Sequence, residues 1–599
     1  MKNNNKSLEN NNSKDDKLLA MRHSCEHVLH QAMVELYPGL KRAMGPATSE
    51  GFYHDFDYDG KISEEDFPSI EKRMKEIIKA DLPIIRKEIS IKEAEQLFKG
   101  NPYKQDWLSR IKAKGEKATV YWNGKPGEKG SDVDLCKGPH VSSTGKIGPF
   151  KLFFVAGAYW HGDEKNKMLT RIYGTCFPSQ KELDHYLWQQ EEAKKRDHRV
   201  LGQKLKLFMF DEEVGQGLPL YLPNGAMIRY LLMEFAMNTY FQRGYKPVST
   251  PHIGTEALWN HSGHLQFYAD SMYGPFEVEG KRYRLKPMNC PFHVKMYNSE
   301  IRSYRDLPIR WTEMGTVYRY EKSGELHGLT RPRVFTQDDA HIICRPDQLE
   351  DELSNALDLI SYIYHSLQME KLIYKLSVRD PNNLDKYFGS SKDWSKAEDT
   401  LKKVLIDSGH KDYETDVGGA VFYAPKIDID GVDSLGRRWQ LSTVQIDFNL
   451  PSRFKMEYID KDGRQKTPFM IHRALLGSLE RFLGVYIEHT AGAFPVWLSP
   501  VQVQIVPIAD RHQQFAAKAK DVLTRLGIRV EQDDRSLSMQ KKLKEAEEQK
   551  IPFMLIVGDR EVQNKTVSVR QRGNKDLGAQ SLKAFGEKLT NLIANKAQI

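Results

Sequence analysis

The chain has 599 residues, of which 40% are hydrophobic and 28% are charged, and its formal net charge is +8. This length exceeds what one hydrophobic core supports, so several domains are expected. No apolar run approaches the roughly 18 residues needed to cross a bilayer, and the opening segment has no apolar stretch typical of a secretory signal. The five cysteines are scattered and odd in number, which argues against a disulfide framework and predicts a cytoplasmic protein without membrane contact.

Positive charge is concentrated toward the end of the chain. Residues 501–599 contain 18 Lys and Arg against 12 Asp and Glu, which gives +6, while the rest of the chain carries only +2. A basic terminal domain is compatible with a phosphate-rich partner such as a nucleic acid. A solvated lysine-rich surface explains the same numbers, so charge alone leaves both interpretations open.

The first part of the chain predicts a tail, a mixed domain and a connecting helix. The segment MKNNNKSLENNNSKDDK cannot bury a core, so residues 1–17 are predicted to be disordered. The next stretch has apolar residues at helical spacing, and 52–58 and 150–155 have the aromatic and aliphatic residues of strands. An α+β domain is therefore expected over 18–183. The highly charged stretch 184–207 is poor in Gly and Pro, which is typical of an exposed linker helix.

Two further domains are predicted after this helix. Between 208 and 498, hydrophobic helices such as Met227–Phe241 alternate with strand-like runs, and the charged segment 377–411 is predicted to be an insertion over the surface. Prolines at 495, 500 and 507 mark the next boundary. Over 499–599, the runs VQVQIV, IRVEQ and FMLIVG alternate with two helical stretches, which predicts an α/β domain with a partly parallel sheet.

The first domain carries two pairs of potential ligands. His23 and His27 are four residues apart on a predicted helix, so both imidazoles project from one face, which His30 shares. Cys136 and His140 lie in the loop sequence SDVDLCKGPHV. Three imidazoles and a thiolate suit a tetrahedral zinc ion, and they suit equally well the donors and general bases around a hydrolysed ester. Incidental packing explains the spacing too, so all three interpretations stay open at this point.

Arginines of the larger domain lie in a predicted hairpin and in a helix. In TVYRYEKSGELHGLTRPRVFTQDDAHIIC, Arg319 follows one strand-like run and Arg331 precedes another, so the hairpin can present guanidinium groups to a polyphosphate. In HRALLGSLERFLGVYIEH, Gly477 permits close backbone approach four residues before Arg481. No GxxxxGK[ST] loop is present, which argues against nucleotide binding by a P-loop. On physical grounds alone, an exposed charged hairpin is the favoured interpretation.

These segments resemble the three signature motifs of class II aminoacyl-tRNA synthetases, and in detail those of the threonyl-tRNA synthetases. The first motif is the helix and strand ending in GYKPVSTPHI with Pro251, the second is RYEKSGELHGLTRPRVFTQDDAH, and the third is the helix through Gly477 and Arg481. Between them, PMNCPFH, VFYAPKID and QLSTVQIDF also look like this family. The resemblance extends over about residues 18–599.

The resemblance implies an α/β and α+β multidomain fold. It consists of a class II antiparallel sheet flanked by helices over 208–498, an N-terminal α+β editing domain and a C-terminal α/β anticodon-binding domain. It also implies a homodimer formed through the first motif, ATP, threonine and tRNA(Thr) as substrates, a Zn²⁺ ion in each subunit and Mg²⁺ with ATP.

The resemblance also implies the residues of the substrate site. By similarity, the residues that bind the phosphates of ATP would be Arg319, Arg331 and Arg481. The zinc ligands would be Cys290, His341 and His472, which leave an open position for the amino and hydroxyl groups of threonine. The amino-acid and adenylate pocket would comprise Met288, Gln337, Asp339, Tyr423, Gln440 and Gln445.

A hydrolytic site is implied as well. Serine shares the amino alcohol of threonine, and the loss of one methyl group changes binding by only about 1–3 kcal/mol. By resemblance, the side chains that edit seryl-tRNA(Thr), without a metal, are His23, His27, Cys136 and His140. The segment GAYWHGDEKNKMLTRIYGT belongs to the same domain, and anticodon reading would involve Glu561 and Arg570.

The chain departs from the family pattern in four places. The usual small β-rich N-terminal domain is expected to be missing, since residues 1–17 cannot form it. His161 stands where arginine is common, and Pro332 stands in the second motif where valine is frequent. Ser536 and the following SMQKK replace the more usual asparagine and its glycine-containing neighbours, which weakens the expectation for anticodon reading.

Two rival functions are consistent with parts of this pattern. One is a different class II synthetase of the prolyl or histidyl type, against which the His and Cys pairs of the first domain and Cys290 argue. The other is a binding or regulatory paralogue that holds RNA without charging it. Such a protein is expected to have lost Arg319, Arg481 or a zinc ligand, and all of these are present.

Overall fold

The computed structural model of the chain describes residues 5–597 and 599, and it divides into two compact units, the first ending at Glu191 and the second beginning at Glu192. Within the described residues, no helix is long and apolar enough to cross a membrane. Residues 1–4 of the predicted disordered tail lie outside the described part. Residues 5–17 differ from that prediction, because they form the beginning of the helix Asn5–Leu36. Extending an existing helix adds one hydrogen bond for each residue fixed, which favours this continuation.

The first unit is an α+β domain, as predicted, and it contains two antiparallel sheets. Its helices are α1 (Asn5–Leu36), α2 (Phe67–Lys79), α3 (Ile91–Leu97), α4 (Pro102–Ala113) and α5 (Gln180–Arg196), which runs across the unit boundary. Its strands are β1 (Lys41–Arg42), β2 (Phe52–Asp57), β3 (Ile84–Ile89), β4 (Ala118–Asn123), β5 (Asp132–Leu135), β6 (Phe150–Tyr159) and β7 (Met168–Cys176). The sheet orders are β1-β2-β7-β6 and β3-β4-β5. Val28, Leu29 and Met33 of α1 are buried in one core with Phe52 and Phe56 of β2, so the apolar face of the helix covers the first sheet.

The predicted linker helix over 184–207 is two helices in the structure. Helix α5 ends at Arg196, and α6 spans His198–Lys204. Between them the carboxylate of Asp197 accepts a hydrogen bond from the backbone N–H of Arg199 at 2.8 Å. Aspartate is a favoured N-cap residue, so a new helix begins here instead of one helix continuing.

The larger part of the second unit is built on an eight-stranded sheet of order β10-β14-β15-β22-β19-β18-β16-β17. Its helices are α6, α7 (Pro223–Gln242), α8 (Glu256–Ser262), α9 (His264–Phe267), α10 (Cys290–Tyr297), α11 (Leu349–Ser366), α12 (Ser391–Asp407), α13 (Asn449–Arg453) and α14 (Leu479–Thr490). Its strands are β8 (Phe208–Met209), β9 (Leu220–Tyr221), β10 (Lys246–Pro247), β11 (Ile253–Thr255), β12 (Phe276–Val278), β13 (Lys281–Leu285), β14 (Ile309–Tyr318), β15 (Val334–Cys344), β16 (Leu372–Val378), β17 (Glu414–Val417), β18 (Lys426–Val432), β19 (Arg438–Asp447), β20 (Tyr458–Ile459), β21 (Gln465–Lys466) and β22 (Phe469–Ser478).

This sheet is antiparallel except at its two edge pairs, β10 with β14 and β16 with β17. Buried apolar residues of α7, α11 and α14 share one core with the sheet, which gives the expected antiparallel sheet flanked by helices. The segment 377–411 differs from the predicted surface insertion. Its helix α12 buries Trp394, Leu401 and Leu405, because apolar residues recur on one helical face among its many charges.

The last part of the second unit has the predicted alternation of strands and helices. Its helices are α15 (Gln513–Arg525), α16 (Met539–Glu548), α17 (Asp559–Asn564) and α18 (Leu582–Ala594). Its strands are β23 (Val503–Pro507), β24 (Val530–Gln532), β25 (Phe553–Val557), β26 (Thr566–Gln571) and β27 (Lys575–Ser581). The sheet order is β24-β23-β25-β26-β27, with β23 parallel to both of its neighbours and the later pairs antiparallel. The prediction of a partly parallel sheet is confirmed.

Candidate functional site

A cavity of about 620 Å³ opens on the face of the eight-stranded sheet and takes residues from β15, β19 and β22 and from neighbouring loops. It brings together side chains that are far apart in the sequence. All twelve residues that the resemblance places around the substrates of the larger domain line this cavity: Met288, Cys290, Arg319, Arg331, Gln337, Asp339, His341, Tyr423, Gln440, Gln445, His472 and Arg481.

Cys290, His341 and His472 form a cluster of buried donors at the floor of the cavity. Cys290 is the first residue of α10, while His341 on β15 and His472 on β22 are paired directly in the antiparallel register. One ligand atom from each residue lies within 4.8 Å of the others, and Nε2 of His341 is 2.9 Å from Nδ1 of His472. A thiolate and two imidazoles at this spacing are the protein ligands of an open tetrahedral zinc site.

Both histidines of this cluster have a second polar partner. Nε2 of His472 is 2.9 Å from an oxygen of Asp447, and Nδ1 of His341 is 2.7 Å from Nδ1 of His293. His293 in turn lies 3.2 Å from the carboxylate of Glu313. Such partners fix the orientation of metal-binding imidazoles. The sequence reasoning missed them, although Asp447 lies two residues after Gln445 on one strand and His293 lies one turn after Cys290.

Burial sets the protonation state of the cluster. It lowers the pKa of His341 well below the usual range, so the imidazole is neutral and its lone pair is available. Burial raises the pKa of the Cys290 thiol well above its usual range, so a thiolate forms there only beside a cation. The donor set, its partners and its protonation therefore fit a divalent zinc ion.

Guanidinium groups line the same cavity. Arg319 directly follows β14, and its guanidinium carbon lies 4.9 Å from the ring centroid of Phe335 and 5.7 Å from that of Tyr268. Arg481 in the first turn of α14 donates to the backbone carbonyls of Gln440 and Thr330. These contacts orient the planar groups toward the cavity, where they suit phosphate oxygens.

A second site lies in the first unit, where the two predicted pairs meet. The Sγ atom of Cys136 is 3.2 Å from Nε2 of His23 and 3.2 Å from Nε2 of His140. The rings of His23 and His140 are stacked with centroids 4.2 Å apart, and the His27 ring lies edge-on to His140 at 4.3 Å. One ligand atom of each of the four residues lies within 4.8 Å of the rest. A cavity of about 390 Å³ opens beside them.

Comparison with known proteins identifies the family. The chain matches the models described as "tRNA synthetase class II core domain (G, H, P, S and T)" over residues 275–490, "Anticodon binding domain" over 502–592, and "Threonyl and Alanyl tRNA synthetase second additional domain" over 120–173. It is 49% identical to a threonine–tRNA ligase of Sulfurihydrogenibium over 97% of this chain and 90% of that protein. The chain belongs to the threonine–tRNA ligase family.

Two further relatives support the same family assignment. The threonine–tRNA ligase of Borrelia turicatae is 46% identical over 97% of this chain and 98% of that protein. A crystal structure described as the RNA binding domain of threonyl-tRNA synthetase from Cryptosporidium parvum is 39% identical, with a TM-score of 0.63, and covers 66% of this chain and 98% of that one. The predictions of family, fold class and enzyme type are confirmed, and a prolyl or histidyl enzyme is excluded.

The His and Cys side chains of the site in the first unit of this threonine–tRNA ligase family member are uncharged. Burial lowers the pKa of His140 to about 2 and that of His27 well below the usual range. Burial raises the pKa of the Cys136 thiol to about 12. The four side chains are therefore neutral hydrogen-bond donors and acceptors. Nδ1 of His27 is buried and has no hydrogen-bond partner among the described residues.

The wall of this second cavity contains charged residues that the sequence reasoning missed. Lys104 and Asp134 form a buried ion pair at 2.7 Å and both line the cavity. Arg110 of α4 lines it too, and its guanidinium lies 2.8 Å from Nε2 of His161. His161, where the family commonly has arginine, is thus next to another arginine in space. The folded unit creates this contact by bringing α4 to the turn between β6 and β7.

The two residues assigned to the anticodon lie on neighbouring elements of the last part of the chain. Glu561 is in the first turn of α17 and accepts a hydrogen bond from the backbone N–H of Gly558 at 2.9 Å. Arg570 is in β26, opposite Met554 of the central strand β25. Both side chains are half-buried, whereas Ser536 is exposed before α16.

Proposed function

We propose that this chain joins threonine to tRNA(Thr) with ATP in two steps. Threonine attacks the α-phosphate of ATP, which forms threonyl-adenylate and releases pyrophosphate. The terminal ribose hydroxyl of tRNA(Thr) then takes the threonyl group and releases AMP. The observation that carries this proposal is the convergence of the twelve assigned residues on one cavity, which contains both the guanidinium groups and the cluster of Cys and His donors.

Three arginines would hold the polyphosphate. Arg319, between the rings of Phe335 and Tyr268, would stabilise the charge that develops on the α-phosphate. Arg331 and Arg481 would bind the outer phosphates. Arg331 is paired with Glu321 and Glu325 at 2.9 and 3.0 Å, and it would exchange these carboxylates for phosphate oxygens. Mg²⁺ accompanies ATP and shares its negative charge.

Cys290, His341 and His472 would hold a zinc ion in each subunit. When bound, zinc supplies a Lewis acid with a position open to the amino and hydroxyl groups of threonine together. Valine has the same shape but lacks the hydroxyl group, and a site built around a polar group rejects such an analogue strongly. Around this position, Asp339 accepts a hydrogen bond from Asn289 at 3.0 Å, and the hydroxyl of Tyr423 donates to Gln445 at 2.9 Å. These fixed groups, with Met288, Gln337 and Gln440, would orient threonine and the adenylate.

The His and Cys site of the first unit would hydrolyse seryl-tRNA(Thr). The neutral imidazoles of His23, His27 and His140 can accept hydrogen bonds from a water molecule and orient it, and the Cys136 thiol can donate a hydrogen bond to the ester. Zinc binding by the same four groups is the rival assignment, and metal analysis of a Cys290 variant separates them. A preparation that lacks the first zinc site but still holds metal would favour the rival.

The domain bounds, the anticodon residues, the dimer and the location are inferred from the family resemblance. We infer an editing domain over 18–183, a linking segment over 184–207, a catalytic domain over 208–498 and an anticodon-binding domain over 499–599. Glu561 and Arg570 would contact the anticodon, supported by the +6 charge of residues 501–599. Dimerisation through the first motif, which includes α7, and a cytoplasmic location complete the proposal.

One experiment tests the core of this proposal. ATP–pyrophosphate exchange is measured with threonine, serine and valine, and zinc content is measured on the same preparation. We expect exchange with threonine, weaker exchange with serine and almost none with valine. We also expect about one zinc ion per chain. Equal exchange with valine and threonine, or full activity in a zinc-free preparation, would refute the zinc-based selection.

A further inference from the structure

The buried residue Asp338 lies directly behind the cavity. Side chains alternate along β15, so Gln337, Asp339 and His341 line the cavity while Asp338 points to the other face of the sheet. Its side chain is buried, with only 1% of the residue surface exposed. A buried carboxylate is costly unless hydrogen bonds satisfy it, so its partners indicate its role.

Its partners are the backbone of a bulge in the neighbouring strand. Asp339 pairs with Ala474 and Gln337 pairs with Ser478, so three residues of β22 lie opposite Asp338 alone. The backbone N–H groups of Leu475, Leu476 and Gly477 all donate to the Asp338 carboxylate at 3.0 Å. A bulge removes N–H groups from the strand ladder, and here one carboxylate satisfies three of them.

The bulge ends at the start of α14. Gly477 has φ of +71°, and a Cβ atom there would lie 2.2 Å from the carbonyl oxygen of Leu441, so only glycine fits this close approach to β19. The next residue, Ser478, accepts a hydrogen bond from the backbone N–H of Arg481 at 3.1 Å and caps the helix. The position of the Arg481 side chain therefore depends on the geometry of the bulge.

Helix α7 reaches the same carboxylate from the opposite side. The hydroxyl of Tyr240 donates to Asp338. The buried guanidinium of Arg473 lies between the rings of Tyr240 and Tyr245, 4.0 and 4.3 Å from their centroids, and it donates to the backbone carbonyl of Asp338. Asp338 thus joins α7, β15 and β22 at one point behind the cavity.

We propose that Asp338 is a positioning residue for ATP: by holding the β22 bulge, it fixes the start of α14 and thereby the place of Arg481 in the cavity. This inference rests on the proposed binding of the outer phosphates by Arg481. Zinc and threonine depend on the neighbouring residues of β15 that face the other way. Loss of the Asp338 hydrogen bonds should therefore affect ATP more than threonine.

The test compares Asp338→Asn, Tyr240→Phe, Arg481→Ala and the control Glu352→Gln in ATP–pyrophosphate exchange. Asparagine cannot accept hydrogen bonds through its amino group, so the variant loses part of the three-bond set. Displacement of a substrate-positioning group by about 1 Å can lower a rate about 100-fold. We expect Asp338→Asn to lower kcat by about 10- to 100-fold and to raise the KM for ATP, with zinc content and the KM for threonine unchanged. Tyr240→Phe should act in the same direction, with a smaller effect.

The control neutralises another buried carboxylate of the same sheet-and-helix core, outside the residues that line the cavity. Glu352 on α11 is 4% exposed and accepts two hydrogen bonds from Arg310. Glu352→Gln should leave the KM values for ATP and threonine unchanged. A loss of kcat and a rise in the KM for ATP as large as in Asp338→Asn would overturn the specific role of Asp338. The inference is also overturned if Asp338→Asn leaves ATP kinetics unchanged or raises both KM values equally. If Asp338→Asn does not fold, Tyr240→Phe decides by the same criteria. If Arg481→Ala alone has no effect on ATP, the phosphate assignment itself is wrong and the inference falls with it.

Discussion

Replacing Arg319 by alanine tests how the chain activates threonine. The Arg319 guanidinium lines the cavity near the rings of Tyr268 and Phe335, and its buried Nε has no hydrogen-bond partner among the described residues. Aromatic rings hold the planar group without neutralising its charge, so the group is prepared for an anion. Hydrogen bonds to charged groups contribute about 1.5–3 kcal/mol each. Removal of one donor aimed at developing negative charge typically lowers a rate by about 10²–10³.

We therefore expect Arg319→Ala to lower the rate of threonine-dependent ATP–pyrophosphate exchange by about 10²–10³, with the KM for threonine changed by less than about twofold. The exchange rate of Arg319→Lys should lie between those of the parent and Arg319→Ala, because lysine keeps the charge but loses the planar guanidinium group. Arg305 is exposed, and its Nε donates a hydrogen bond to the Tyr304 hydroxyl at 3.1 Å. It provides a matched Arg305→Ala control that should behave like the parent. A normal exchange rate in Arg319→Ala would refute the assignment of the second motif to the α-phosphate.

The other predictions concern zinc, editing, stability and tRNA. Cys290→Ala should lose bound zinc and threonine activation together, by metal analysis and exchange, and a zinc-free variant with full activity would contradict this. The double variant His23→Ala, His27→Ala should still charge threonine but accumulate seryl-tRNA(Thr), and clearance as fast as in the parent would rule out the editing role. Hydrogen exchange should show a lower unfolding free energy of the first unit as the pH falls below about 6.5. The folded unit keeps His140 neutral because its pKa is about 2, so protons bind preferentially to the unfolded state, and stability is lost toward acid. His140→Gln should flatten this dependence, and an equal slope in both proteins would count against it. Arg570→Ala should raise the KM for tRNA(Thr) without changing exchange, and an unchanged KM would exclude its contact with the anticodon.

The type and order of the main elements could be predicted from the sequence, because they depend on local patterns. Apolar residues at helical spacing predict the part of α1 that carries His23 and His27, and the four-residue separation alone places both imidazoles on one face. Alternating strands and helices predict the partly parallel sheet after residue 499. Local patterns also have limits. The Asp197 cap divides the predicted linker helix, and α12 buries Trp394 within a segment whose charge predicted a surface insertion.

The tertiary structure decided which distant residues meet. Without the resemblance, nothing in the spacing of Cys290, His341 and His472 predicts a shared site, since the two histidines face each other only through the register of β15 and β22. The bulge opposite Asp338 is still less visible in the sequence. It requires β22 to approach β19 so closely that Gly477 lies against the Leu441 carbonyl, while the freed N–H groups turn to a carboxylate on the other neighbouring strand. Strand register and close backbone approach depend on packing across the whole sheet, and side-chain patterns within one segment therefore cannot determine them.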